Sequence, residues 1–317
     1  MNFIETSEIS ENHLNSLSTT FPLKWWQTLS LAHPTDRFTF RLRDLLMRKQ
    51  VIFTFLVHLV NFIKKNFTDL PTLNKINSQT TALIESSNSD YSEASEFGDE
   101  SITGEFRSWD TYRRHIKRGG SGGESRALYQ HVISKSQHLL SSEKLGTFFN
   151  LGVCYPFIDS ELAKLFPDVR FIGFERTAVV PLLNNHYFAH QTNMRSESGD
   201  LFEHLAKKNY TESVFFHART LTLLPKTFVK RTYTSAHQAG FEFIFGNEQT
   251  GVNRHTKKSY RFSYDDAPTE LFRKHMVTHN YPALLQSSGW NLIYAELLPT
   301  EHADPDFRIF TFIARRK

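Results

Sequence analysis

The chain has 317 residues, 39% of them hydrophobic, with 29 Phe and a formal net charge of +4. That length carries one large α/β domain plus an appendage, and the mild charge, lying in blocks, argues against a nucleic-acid-binding protein. Cys154 is the single cysteine, so an internal disulfide and a cysteine-based zinc site are excluded and a reducing, cytoplasmic setting is expected.

The first residues, MNFIETSEISEN, are acidic and polar and do not read as a secretory leader. Residues 1–35 read as a polar leader with a local apolar knot at Phe21, Leu23, Trp25 and Trp26. From Phe38 to Phe67 the pattern is helical: Gln50, Thr54, His58, Asn61 and Lys65 recur at steps of three and four on an otherwise apolar stretch from Val51 to Ile63. The uninterrupted part is shorter than the roughly 20 apolar residues that a bilayer span needs. Three readings stay open for residues 38–67: a helix buried against the main domain or a second copy, one lying on a membrane surface with its basic ends on anionic lipid, or, last of the three, a spanning helix. The whole of residues 1–75 is expected to form an N-terminal extension.

Residues 76–105 are Ser-rich and carry Glu85, Asp90, Glu93, Glu96, Asp99, Glu100 and Glu105 without a base. Such a segment buries too little apolar surface to offset chain entropy and reads as a linker. Residues 107–118 answer with Arg107, Arg113, Arg114, Lys117 and Arg118, but no stacking-aromatic motif accompanies them, so no nucleic-acid partner is expected. The folded domain is expected over residues 106–317.

Residues 147–176 hold two buried-strand patterns, Thr147 to Val153 and Val169 to Phe174, joined by a helical stretch after Asp159 and Ser160. This is the length of one βαβ unit, which sets a backbone turn at Gly152 and a distant acid, Glu175, on one nucleoside. The alternation continues. Helices are predicted from Ala178 and from Leu201, a strand over Ser213–Ala218, a helix over Lys226–Ala239 and a strand over Phe241–Phe245. Further helices are predicted over Thr269–His279 and Tyr281–Ser287, then two strands, Asn291–Leu297 and Phe307–Ala314, closing as a hairpin. The expected fold class is α/β: a three-layer, Rossmann-like, mostly parallel sheet with a C-terminal antiparallel hairpin strand, plus the helical N-terminal extension.

Over about residues 107–317 this order resembles the class I S-adenosylmethionine-dependent methyltransferases. The residues that carry the likeness are Asn150-Leu151-Gly152-Val153-Cys154-Tyr155 after the first strand, Glu175 after the second, and Asp200 in SGDLFEHL. The resemblance implies S-adenosylmethionine as cofactor, with Asn150 and Gly152 at the turn, Glu175 on the ribose and Asp200 on the adenine. The family's first motif usually starts with an acid and holds two or three glycines; here Asn150 and Gly152 stand alone. Gly119 to Ser125, GGSGGES, resembles a loop that some small methyltransferases fold over the cofactor, which implies contacts from Ser121 and Gly122; by itself the loop reads as a flexible hinge.

Methyl transfer to oxygen needs an acceptor deprotonated in line with the sulfonium, so a His near the end of the fourth strand is the natural base. His217 in VFFHART fills that place, its alternative being a packing role, and Arg219 is a candidate for holding an anionic substrate. The stretch from Gly246 to Pro268 is expected to be an insertion carrying acceptor contacts, among them Arg254 and Tyr260. Asp265 and Asp266 read as helix-capping residues, and no motif for a metal is present in the sequence. The reading that results is transfer of a methyl group from S-adenosylmethionine to a small-molecule acceptor, with oxygen the accepting atom that suits such a base best. Its rival is a methyltransferase-like binding or assembly module without catalysis. A nicotinamide-dependent oxidoreductase is set aside because G-x-G-x-x-G follows neither early strand.

Overall fold

The computed structural model describes residues 8–17, 125–176, 178–251, 260–265, 270–273, 276–299 and 307–317. The predictions for residues 38–67 and 76–105, and for Ser121, Gly122 and Arg254, lie outside the described residues. In chain order the elements are α1 (Glu11–Leu17), α2 (Ser125–Ser142), β1 (Thr147–Leu151), α3 (Phe157–Leu165), β2 (Arg170–Glu175), α4 (Val179–Tyr187), β3 (Met194–Ser198), α5 (Leu201–Ala206) and β4 (Ser213–Ala218). They continue with a 3-10 turn (Leu221–Leu223), α6 (Lys226–Gln238), β5 (Phe243–Gly251), β6 (Glu270–Arg273), β7 (Met276–Thr278), α7 (Tyr281–Gln286), β8 (Trp290–Pro299) and β9 (Phe307–Arg316).

Seven strands make one sheet in the order β3-β2-β1-β4-β5-β9-β8. The first five are parallel, and β9 lies antiparallel between β5 and β8, as the closing hairpin predicts. The central strands read as continuous apolar runs because helices cover both of their faces. Successive residues of β1 separate accordingly. Phe149 joins a core with Phe215, Tyr233, Phe241 and Trp290, while Phe148 joins the opposite core with Phe171, Phe216 and Phe243.

Three elements differ from expectation. β5 runs on to Gly251, with Asn247, Glu248, Gln249 and Thr250 all buried, because β9 pairs with it along its whole length. The helix predicted over Thr269–His279 is replaced by the β6–β7 hairpin, in which Leu271 pairs with Val277. The segment 8–17, which reads from sequence as polar leader, packs on the main domain. The Ile9 N–H donates to Leu292 O at 2.8 Å, His13 Nε2 donates to Ala295 O at 3.0 Å, and Leu14 is fully buried in the core.

What positions a site is the reversal of winding. From β1 the chain steps outward through β2 to β3, then returns to β4 and steps the other way to β5. In open α/β sheets ligands sit outside the carboxyl ends of the strands at such a reversal, which here marks the ends of β1 and β4 as the place to look for a site.

Candidate functional site at the strand tips

Read across the carboxyl edge in the order β3, β2, β1, β4, the residues at the tips are Asp200, Glu175, Gly152 and Arg219. The fold therefore gathers four of the sequence-predicted site residues along one edge. Each is held by local chemistry.

Gly152 has φ +75, a left-handed conformation that costs glycine nothing. Its N–H donates to Phe174 O at 2.8 Å, and the Cys154 N–H donates back to Gly152 O at 2.8 Å. The turn thus uses its own N–H groups internally. It is also tight against the turn after β4: a Cβ at position 152 would lie 2.3 Å from Thr220 Oγ1.

Glu175 closes β2, buried, with Oε1 accepting the N–H of Arg176 at 2.8 Å. Asp200 caps α5, its Oδ1 accepting from Phe202 N at 2.8 Å and Glu203 N at 2.9 Å. Oδ2 takes no hydrogen bond from the described residues, so the cap leaves one oxygen for a ligand. Gly199, before it, has φ +143 and faces open space: a Cβ there meets nothing within 4 Å. The acid at the β2 tip, the Asp200 carboxylate and the open glycine beside it thus lie together along this part of the edge.

Asn150 lies below the edge. Its Nδ2 donates to Asp159 Oδ2 at 2.6 Å, so one of its two side-chain N–H groups is spent on α3. Asp159 is buried, and burial pushes its carboxyl up to about 6, the Asn150 hydrogen bond opposing that rise.

The expectation that His217 serves as general base is not carried forward. Alternation along β4 puts it on the face of Phe215, in the interior and fully buried. Its Nδ1 lies 2.7 Å from Glu248 Oε1 and its Nε2 lies 3.2 Å from the Tyr233 hydroxyl. Both ring nitrogens are therefore engaged inside the protein. Tyr260, expected at the acceptor, is buried against Phe262 with ring centroids 5.3 Å apart. Its apolar surroundings make it a core residue. Arg219 stays half-buried at the β4 tip, with φ +57 and its guanidinium 5.7 Å from the centroid of the Tyr129 ring.

Three further residues at or beneath this edge are not singled out by sequence reasoning. Thr220 stands in an ordinary-looking turn, Asp159 shows no partner in the sequence, and Glu248 falls in a stretch that reads as loop. A buried polar strand has no apolar signature, so the spacing holds no sign of Glu248.

No protein-family profile and no curated protein matches the chain. Solved structures do match, at low identity. The N-terminal domain of EvdMO1, crystallised with SAH and D-fucose, is 12% identical with a TM-score of 0.42, covering 58% of this chain and 82% of that one. A putative sarcosine dimethylglycine methyltransferase from Galdieria sulphuraria is 9% identical with a TM-score of 0.44, over 58% and 84%. The citrinin polyketide synthase CMeT domain is 10% identical with a TM-score of 0.48, over 67% and 58%.

Proposed function

We propose that the chain is an S-adenosylmethionine-dependent methyltransferase acting on a small-molecule acceptor. The observation that supports it most is the Glu175 carboxylate at the tip of β2, one strand from the positive-φ turn at Gly152, at the reversal point of the sheet. In this reading Glu175 accepts from the ribose hydroxyls and the second oxygen of Asp200 accepts from the adenine amino group. Ser121 and Gly122 would hold the methionine end.

When bound, the cofactor supplies a methyl group already activated by its sulfonium. The protein's share is then alignment and exclusion of water. Arg219, at the β4 tip, would hold an anionic acceptor, with Arg254 as a second candidate.

One observation favours the rival, a binding module without transfer: the single-glycine turn is filled on one side by Thr220. Transfer of label separates the two. Full-length protein incubated with methyl-labelled S-adenosylmethionine and a panel of small phenols, sugars and carboxylates should label at least one acceptor; binding with no labelled product on any of them would favour the module.

We further propose a cytoplasmic protein whose residues 38–67 seat it on anionic membrane or on a second copy. Flotation with anionic vesicles, and sedimentation without them, test this; a monomer that ignores vesicles would contradict it.

A further inference from the structure

Beneath the strand tips lies a buried acid that methyl transfer, as proposed, leaves without a task. Glu248, in the middle of β5, is fully buried. His217 Nδ1 donates to its Oε1 at 2.7 Å, and the N–H groups of Thr220 and Leu221 donate to the same oxygen at 3.2 and 3.1 Å. The Thr222 N–H donates to Oε2 at 3.2 Å. A carboxylate withdrawn from water is costly unless its oxygens are satisfied, so the chain that satisfies them is held to one shape.

That chain is the turn leaving β4. Arg219 adopts φ +57, which residues with a side chain seldom do, and the 3-10 turn Leu221–Leu223 follows at once. From the other side, His279 Nε2 donates to Leu221 O at 3.2 Å and Leu224 O at 2.9 Å. The Thr222 hydroxyl donates to Val277 O at 2.9 Å. The turn is thus clamped between β5 and β7.

Its outward face bears on the crevice. Thr220 Oγ1 lies 3.2 Å from Leu151 O, the last carbonyl of β1, and the same side chain fills the space beside the Gly152 α-carbon. A drift of the 219–222 turn therefore moves the atoms that press on Gly152.

We infer that Glu248 is a positioning residue for the nucleoside crevice: by gathering the N–H groups of Thr220, Leu221 and Thr222, it fixes Thr220 against the Gly152 turn. This rests on reading the crevice as the cofactor site, and Glu248 acts through Thr220 rather than on the ligand.

Calorimetric titration of S-adenosylhomocysteine into the full chain tests it. Glu248→Gln keeps the size but turns one acceptor into a donor, and should weaken binding about tenfold. Thr220→Val, which loses the hydroxyl but keeps the methyl, should match that loss. Thr220→Ser, which keeps the hydroxyl, should stay within about threefold of the unaltered chain. Because both residues belong to one device, the double variant E248Q/T220V should lose no more than about threefold beyond either single variant. If the unaltered chain binds nothing, the cofactor reading fails and this inference falls with it. If it binds and the variants bind as well, or if the two losses multiply fully, the inference alone fails. Should Glu248→Gln not fold, the two Thr220 variants decide. A second readout needs no ligand: amide hydrogen exchange over residues 150–156 should quicken in Thr220→Val, and unchanged protection there would also overturn the inference.

Discussion

Replacing Asp159 by Asn should stabilise the protein near neutral pH, and by an amount that depends on pH. Asp159 is buried with one hydrogen-bond partner, Asn150, on Oδ2, and its Oδ1 has none among the described residues. Burial raises its carboxyl from 3.8 to about 6. A raised acid is protonated more readily in the fold than in the unfolded chain. Its contribution is therefore fully present below the unfolded value of 3.8 and is lost as pH climbs through the folded value of about 6. At about 1.4 kcal/mol per tenfold step, the full gap amounts to roughly 3 kcal/mol. The amide in Asp159→Asn would keep an acceptor for the Asn150 donor and carry no charge. The stability gain of this variant over the unaltered protein should hence grow by roughly 2 kcal/mol between about pH 4.5 and about pH 8. Urea unfolding followed by circular dichroism, extrapolated to water at each pH, measures it. A difference between the two proteins that stays flat over that range would mean that burial does not raise the Asp159 carboxyl.

Leu14→Ala should destabilise by about 2 to 4 kcal/mol, because the side chain is fully buried in the main core; a thermal-melting loss near zero would mean that the segment 8–17 is not docked as described. Gly152→Ala forces a Cβ to within 2.3 Å of Thr220 Oγ1 at φ +75 and should cost more than about 1 kcal/mol, read by the same urea unfolding. Glu175→Ala should weaken S-adenosylhomocysteine binding at least about tenfold, while Asp159→Ala, off the edge, weakens it far less. Equal calorimetric affinities for those two variants would contradict the placement of the ribose.

The parts of the fold legible in the sequence are those whose burial leaves an apolar signature. β1, β2 and β4 are central strands covered on both faces, so TFFNL, RFIGFE and SVFFHA stand out as apolar runs. β3, MRSES, is an edge strand whose one buried residue is Ser196, and no hydrophobic pattern announces it. The polar half of β5 is hidden for a related reason. Asn247 and Glu248 are tolerated inside because Thr311 and the turn after β4 satisfy them, a pairing that tertiary contact alone creates. At the site, strand tips follow from strand ends, which is why Glu175 and Gly152 can be named from sequence, whereas Asp200, after the unannounced β3, is named only by the resemblance of SGDLFEHL. His217 lies one residue before the end of β4, and there the two-residue alternation of a strand turns a side chain from edge to core.

The central claim is that a nucleoside lies across the tips of β1, β2 and β3. Its most direct test is titration of S-adenosylhomocysteine into the folded full-length chain by calorimetry. Saturable binding at one site per chain is expected; a chain shown to be folded that takes up no ligand would contradict the proposed site.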